Sequence, residues 1–286
     1  MKYSLIINFT EKAFPKAYLL WELANFSQSL IDDENSPAIL NIKTGKPILV
    51  GNILKSLPRN KRQITFWLEE INDFPKGKMR PAICFSPLSD FGISQLIVEG
   101  FDNIITNREH WLPKLLNHPD FISARLLNHE YDQIQNYTAF GQFRNAELDH
   151  SSLITKDNGL PAPCNELMID TSYHAGHWVF KAGYTEAVAS ELWLGERFFD
   201  AVNADKAQIR SCDWLQTTGI DNVLHIKVYD TPFDSDQGEQ REIQIKLRKL
   251  LFSASSHSTD ASFANLDEGI QIQKLNKKLN KKDRHL

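Results

Sequence analysis

Leu167-Met168-Ile169, Asp170-Thr171-Ser172-Tyr173-His174-Ala175-Gly176-His177, Trp178-Val179-Phe180 follow one another inside the stretch Cys164 to Asp213. That stretch continues Gly183-Tyr184-Thr185-Glu186-Ala187-Val188-Ala189-Ser190-Glu191-Leu192-Trp193-Leu194-Gly195-Glu196-Arg197-Phe198-Phe199. Nowhere else does the chain gather aromatic, glycine and ionisable residues so densely. The two apolar runs, 167–170 and 178–181, read as strands joined by a histidine-bearing turn. Thr185 can cap a helix whose stripe holds Val188, Leu192 and Trp193; Gly195 interrupts it, and residues 196–202 resume it.

Upstream, Tyr3, Leu5, Ile7 and Phe9 alternate with polar residues, the period of a strand. Ile6 breaks the polar face, so that strand is expected to be covered on both sides. Leu19, Leu23, Phe26 and Leu30 form one helical stripe, with Pro15 in the first turn. Short strands are expected at 38–43, 48–50, 63–69 and 82–85, the last ended by Pro87. Residues 92–98, 108–116 and 120–135 read as helices, although Pro113 weakens the middle one. Residues 138–165 carry turn signals such as Asn158-Gly159 and suit a boundary between an N-terminal lobe, 1–150, and a C-terminal lobe, 151–252.

Downstream, Asp205 can cap a short helix, and Leu224, Ile226 and Val228 mark a strand over 223–230. Ile243, Leu247, Leu250 and Leu251 fit a helix, with Asp236 and Glu239 resembling a capping box and Lys246, Arg248 and Lys249 suiting its C-terminus. From 253 to 286 the composition predicts a disordered basic tail. The fold class is therefore α+β, with mixed or antiparallel sheets flanked by helices.

Composition narrows the function classes. With 286 residues, 42% hydrophobic, the chain can bury a sizeable core. Residues 274–286 hold six basic groups and one acid, so within a net charge of −4 the rest of the chain carries −9. An acidic body disfavours nucleic-acid binding and suits a basic partner, or simply keeps the protein soluble. Cys84, Cys164 and Cys212 form no CxxC pair, as expected for free thiols in a reducing cytoplasm. Neither a signal peptide nor a run of about 20 apolar residues occurs, so no membrane is expected.

Motifs for chemistry are sparse. Asp170, His174 and His177 could converge on a metal and support a hydrolase, but no further ligand lies near in sequence. Asp230, Glu242 and Lys246 approach a nuclease pattern, but the last two are four apart, a helical ion pair. His129 and Asp132 read as a surface hydrogen bond on a helix. Neither GxxxxGK[ST] nor GxSxG occurs, and no cofactor is expected.

The Asp170-Thr171-Ser172 turn, the Gly183-Tyr184-Thr185-Glu186 helix start, Leu192-Trp193-Leu194-Gly195 before Phe198-Phe199, and the final Gln-, Arg- and Leu-rich helix resemble bacterial polymorphic-toxin immunity proteins, loosely the immunity protein 52 family. The resemblance spans mainly residues 164–252; the long loops in 44–80 and the basic tail depart from it. It implies a cytoplasmic inhibitor, without catalytic residues, that neutralises a cognate nuclease toxin in interbacterial competition of the type VI secretion kind. Expected contacts are Glu69, Glu70 and Asp73, the group Asp234, Asp236 and Glu239, and Trp193 as an aromatic anchor. A metal-dependent hydrolase and a regulator binding DNA through the 274–286 tail are the competing readings.

Overall fold

A computed structural model describes residues 3–13, 39–40, 47–48, 64–67, 82–99, 105, 108–220 and 222–253. The expected helix near 19–30, most of the long loops in 44–80 and the tail from 254 onward lie outside these residues. Eight strands form one antiparallel sheet: β1 Tyr3–Thr10, β4 Ile64–Trp67, β5 Ala82–Leu88, β6 Ile93–Glu99, β7 Phe121–Asn128, β12 Glu191–Leu194, β13 Gln216–Ile220 and β14 Val223–Lys227. Their order is β13-β14-β12-β7-β1-β6-β5-β4. Three two-stranded pairs stand apart: β2 Ile39–Leu40 with β3 Pro47–Ile48, β8 Thr155–Asp157 with β9 Leu167–Ile169, and β10 Val179–Lys181 with β11 Tyr184–Glu186. The architecture is α+β. Because β7 pairs with β12, the segments before and after residue 150 share one sheet.

Burial on both faces governs the central strands. One face carries Leu5, Ile7, Phe9, Leu96, Val98 and Leu126 against Leu112, Leu115 and Leu116 of α1, Leu112–Leu116. The other carries Ile6, Ile122, Leu127, Leu192, Leu194 and Ile226. It is covered by α4, Glu196–Val202, through Phe198, Phe199 and Val202, and by α6, Gly238–Phe252, through Leu247, Leu251 and Phe252. In the sheet's middle, Gln95 Nε2 donates to Asn8 Oδ1 (3.0 Å) and Asn8 Nδ2 donates to Ser123 Oγ (3.1 Å). This ladder satisfies three buried polar side chains among apolar ones.

Several expectations are corrected. Residues 93–99 and 121–128 are strands rather than helices. Their apolar residues point to both faces, which leaves a continuous apolar run that resembles a buried helix. Only 129–135 of the longer prediction is helical: α2, His129–Gln135, begins where Asn128 Oδ1 accepts the Glu130 and Tyr131 N–H groups. Residues 184–186 and 191–194 are likewise strands, so Thr185 caps nothing. β9 and β10 do not pair; each has its own partner. Pro87 lies within β5, beyond the part that β4 pairs, where its missing N–H removes no ladder bond to β4. Pro113 sits in the first turn of α1, after a separate 3-10 turn over Arg108–His110.

Other expectations hold. β1 is buried along both faces, and α4 and α6 are helices. α5, Lys206–Arg210, is capped by Asp205 Oδ1. The start of α6 departs from the expected box: Gln240 Oε1 accepts the Asp234 and Ser235 N–H groups instead. Among the described residues no helix is long and apolar enough to cross a membrane.

Gly195 joins β12 to α4 with an ordinary φ of −83°. A Cβ there would stand 2.8 Å from Phe121 Cδ1 and 3.2 Å from the Ile122 carbonyl oxygen. Gly195→Ala is therefore expected to destabilise by about 1–3 kcal/mol through overpacking alone, lowering Tm by about 2–4 °C per kcal/mol in thermal denaturation.

Candidate functional site

The segment between β7 and β10 is carried on the sheet like an added face. α2 anchors it. Tyr131 Oη donates to Gln244 Oε1 of α6 (3.0 Å), and Gln135 Oε1 accepts the Gly176 N–H (3.0 Å). Gly176 permits that approach, since a Cβ would lie 2.9 Å from Gln135 Cγ and 3.0 Å from Tyr131. The turn bearing Tyr173, His174 and His177 is thereby clamped to α2. A second helix, α3, Phe140–Asn145, follows, its start closed by Gln142 Oε1 accepting the Thr138 and Ala139 N–H groups.

Between α2 and α3 lies a groove of about 520 Å³ lined by Asp132, Gln133, Asn136, Tyr137, Gln142, Asn145, Ala146 and Trp178. Asp132 is its only charged lining residue. Burial pushes the Asp132 carboxyl up to about 6; the charge of Arg125 and a hydrogen bond from the Trp178 indole pull in the opposite direction without prevailing. Glu99 is also raised, chiefly by burial and then by the charge of Asp132. His129 Nδ1 lies 3.0 Å from Ser4 Oγ and 3.9 Å from Glu99 Oε1, so it faces β1 and β6 rather than Asp132. Arg125, on β7 and 4% exposed, has a buried Nε with no hydrogen-bond partner, as has Trp178 Nε1. Two of the three buried unpaired side-chain atoms among the described residues thus belong to residues that act on Asp132.

The segment that carries the groove is rich in acids and bears exposed apolar side chains. Residues 129–177 hold seven Asp and Glu against two Lys and Arg. The same segment carries the three exposed large hydrophobic residues among the described ones: Ile154 at 48%, Leu167 at 61% and Tyr173 at 55%. All three sit on or beside the β8–β9 pair and the 3-10 turn Thr171–Tyr173.

The other residues singled out in the sequence are distributed as follows. Glu69, Glu70 and Asp73 lie outside the described residues. Asp234 is tied to Gln240 Nε2 (2.7 Å), and Glu239 is exposed. Asp236 Oδ2 meets Gln135 Nε2 of α2 at 3.5 Å, so this acidic group adjoins the same face. Trp193 is 3% exposed. It stacks on His225 at 4.9 Å, with Arg108 5.6 Å from its centroid. Asp170, His174 and His177 do not converge. Asp170 caps its own turn and pairs with Lys156 (3.0 Å), His174 Nδ1 bonds the Gln135 carbonyl (2.8 Å), and His177 Nδ1 bonds the His174 carbonyl (2.6 Å). No group of three His, Cys, Asp or Glu able to hold a metal ion occurs among the described residues. The metal-hydrolase reading of that turn finds no support in these partners.

Sequence reasoning also missed a polar chain on the opposite face. Thr218 Oγ1, His225, Glu191 and Arg108 are linked at 3.1, 2.9 and 2.5 Å. Burial would raise Glu191, but the hydrogen bonds and charges of His225 and Arg108 outweigh it and hold its carboxyl below the ordinary value.

No sequence family and no curated protein matches the chain. Among solved structures it is similar to the Pseudomonas aeruginosa T6SS protein PA0821, with 8% identity and a TM-score of 0.46 over 91% of this chain and 77% of that one.

Asp132 gives a pH signature. Its folded-state value, about 6, lies above the unfolded value near 3.8, so the folded state holds the proton more tightly. Stability is then highest below the unfolded value and falls as pH rises from about 4 to about 6. Asp132→Asn is expected to be about 1–3 kcal/mol more stable than wild type at pH 7.5, with the difference vanishing near pH 4, in urea unfolding across pH.

Proposed function

We propose that this chain is an inhibitor of another protein: a cytoplasmic immunity protein that binds a cognate antibacterial nuclease and occludes its active site. The observation that carries the reading is the 129–177 segment, which holds seven Asp and Glu against two Lys and Arg and bears the exposed Ile154, Leu167 and Tyr173. A nuclease that grips phosphates presents cations around its active site. An acidic face complements that surface and speeds encounter, while exposed aliphatic and aromatic side chains supply the contacts that hold it. Asp234, Asp236 and Glu239 extend the acidic rim through the Asp236–Gln135 contact. The resemblance of residues 164–252 to toxin immunity proteins points the same way.

Toxin rescue tests the reading. Candidate nuclease toxins, beginning with any encoded beside this gene, are expressed in a sensitive host, alone and with this protein. Wild type is expected to restore growth. Leu167→Asp with Tyr173→Asp is expected to weaken binding at least about 30-fold and abolish rescue. Because both side chains are exposed, Tm should stay within about 1–2 °C of wild type. Full rescue by the double variant would remove this face from the interaction.

A further inference from the structure

We propose that the groove between α2 and α3 is an arginine seat, taking one guanidinium group of the basic partner against the carboxylate of Asp132. The source of that arginine rests on the partner reading above; the chemistry of the groove does not. A space of about 520 Å³ has the size of a small-ligand site. Its lining contains one anion and no cation.

The amides divide by what they already do. Asn136 is locked, its Oδ1 accepting the Trp178 N–H (2.9 Å) and its Nδ2 donating to the Asp132 carbonyl (2.7 Å). Gln142 Oε1 is engaged at the start of α3. These two form fixed walls. Asp132, by contrast, forms no salt bridge among the described residues; its one side-chain hydrogen-bond partner is the Trp178 indole, in a contact outside ordinary geometry, and Arg125 acts on it through its charge. A carboxylate with one such contact keeps acceptor capacity for a further donor.

A guanidinium offers five donors, no acceptor and a flat face. The carboxylate meets the donors, and Tyr137 and Trp178 provide aromatic surface for the flat face. A divalent cation would need six or more oxygen ligands, which one carboxylate does not begin to assemble. Gly176 and Gln135 hold the Trp178 wall against α2, so the seat is formed before a ligand arrives.

The full-length protein is titrated at pH 7.5 with N-acetyl-arginine amide, following the Trp178 indole N–H resonance, which is assigned with Trp178→Phe. A saturable shift is expected. N-acetyl-citrulline amide, which keeps the shape and loses the charge, should bind at least about tenfold more weakly, as should the arginine probe to Asp132→Asn. That variant is expected to fold, since removal of the buried charge stabilises it. Equal binding of citrulline, undiminished binding by Asp132→Asn, or no saturable shift overturns the proposal. Equal binding of N-acetyl-lysine amide overturns the guanidinium assignment. No toxin enters this titration, so its failure leaves the rescue result standing, and failed rescue leaves the seat standing.

Discussion

The structure depends on covering β1 and β7 on both faces. Each strand has its backbone groups paired to neighbours on either side, and each carries apolar residues above and below. Neither α1 alone nor α4 with α6 alone would suffice, because a strand apolar on both faces needs two apolar layers to exclude water. Layering therefore requires that 105–116 fold onto one face and 196–252 onto the other. The sheet cannot be completed before β12 and β14 arrive, and that places residues distant in sequence under one constraint.

Arg125 sits inside this constraint. It occupies a β7 position opposite Ile6 on one side and Leu192 on the other, in a layer that is otherwise mostly apolar. Burial lowers its pKa, and the charge of Asp132 acts against that. A buried guanidinium calls for a counter-charge close by. Asp132, on the first helix after the strand and seven residues on, is the charge that acts on it, yet the cost of burying that carboxyl exceeds the attraction between the two. The same carboxylate opens on the groove. The core's charge balance and the acidic face thus meet in one side chain, and the sharp Asn128 junction from strand to helix fixes its position.

How much of this could be read from sequence follows from periodicity. β1 was legible because polar residues alternate with Tyr3, Leu5, Ile7 and Phe9. β7 and β12 were not: seven of the eight residues of β7 and all four of β12 are buried, so no polar phase marks a face. Helices with solvent on one side, α4 and α6, were legible for the opposite reason. The histidine turn drew attention by composition, yet its side chains serve backbone carbonyls. Asp132 was passed over as a surface partner of His129. Its environment is built by Arg125 on a strand and Trp178 on a distant turn, and no local pattern reports that. Trp193 stood out as an aromatic in a Gly-flanked run, but whether it was anchor or core depended on His225 and Arg108.

The polar chain on the far face invites comparison with a nucleophile relay, since it orders a hydroxyl, an imidazole and a carboxylate. Its surroundings favour a structural reading. In a relay the carboxylate exists to stabilise the imidazolium; here Arg108 shares Glu191 at 2.5 Å and already answers its charge. Trp193 stacks at 6° on the His225 ring and holds it to the sheet. Arg108 also donates to the Ile105 carbonyl (3.1 Å), which ties the approach to α1 onto β12. Every polar atom of that chain with a short contact fastens one element to another. On the 129–177 face the fastenings are fewer: Asp132 and the Trp178 indole meet each other outside ordinary geometry, and Ile154, Leu167 and Tyr173 are exposed. The proposed docking of a partner draws on these groups, which lie away from the sheet's own fastenings.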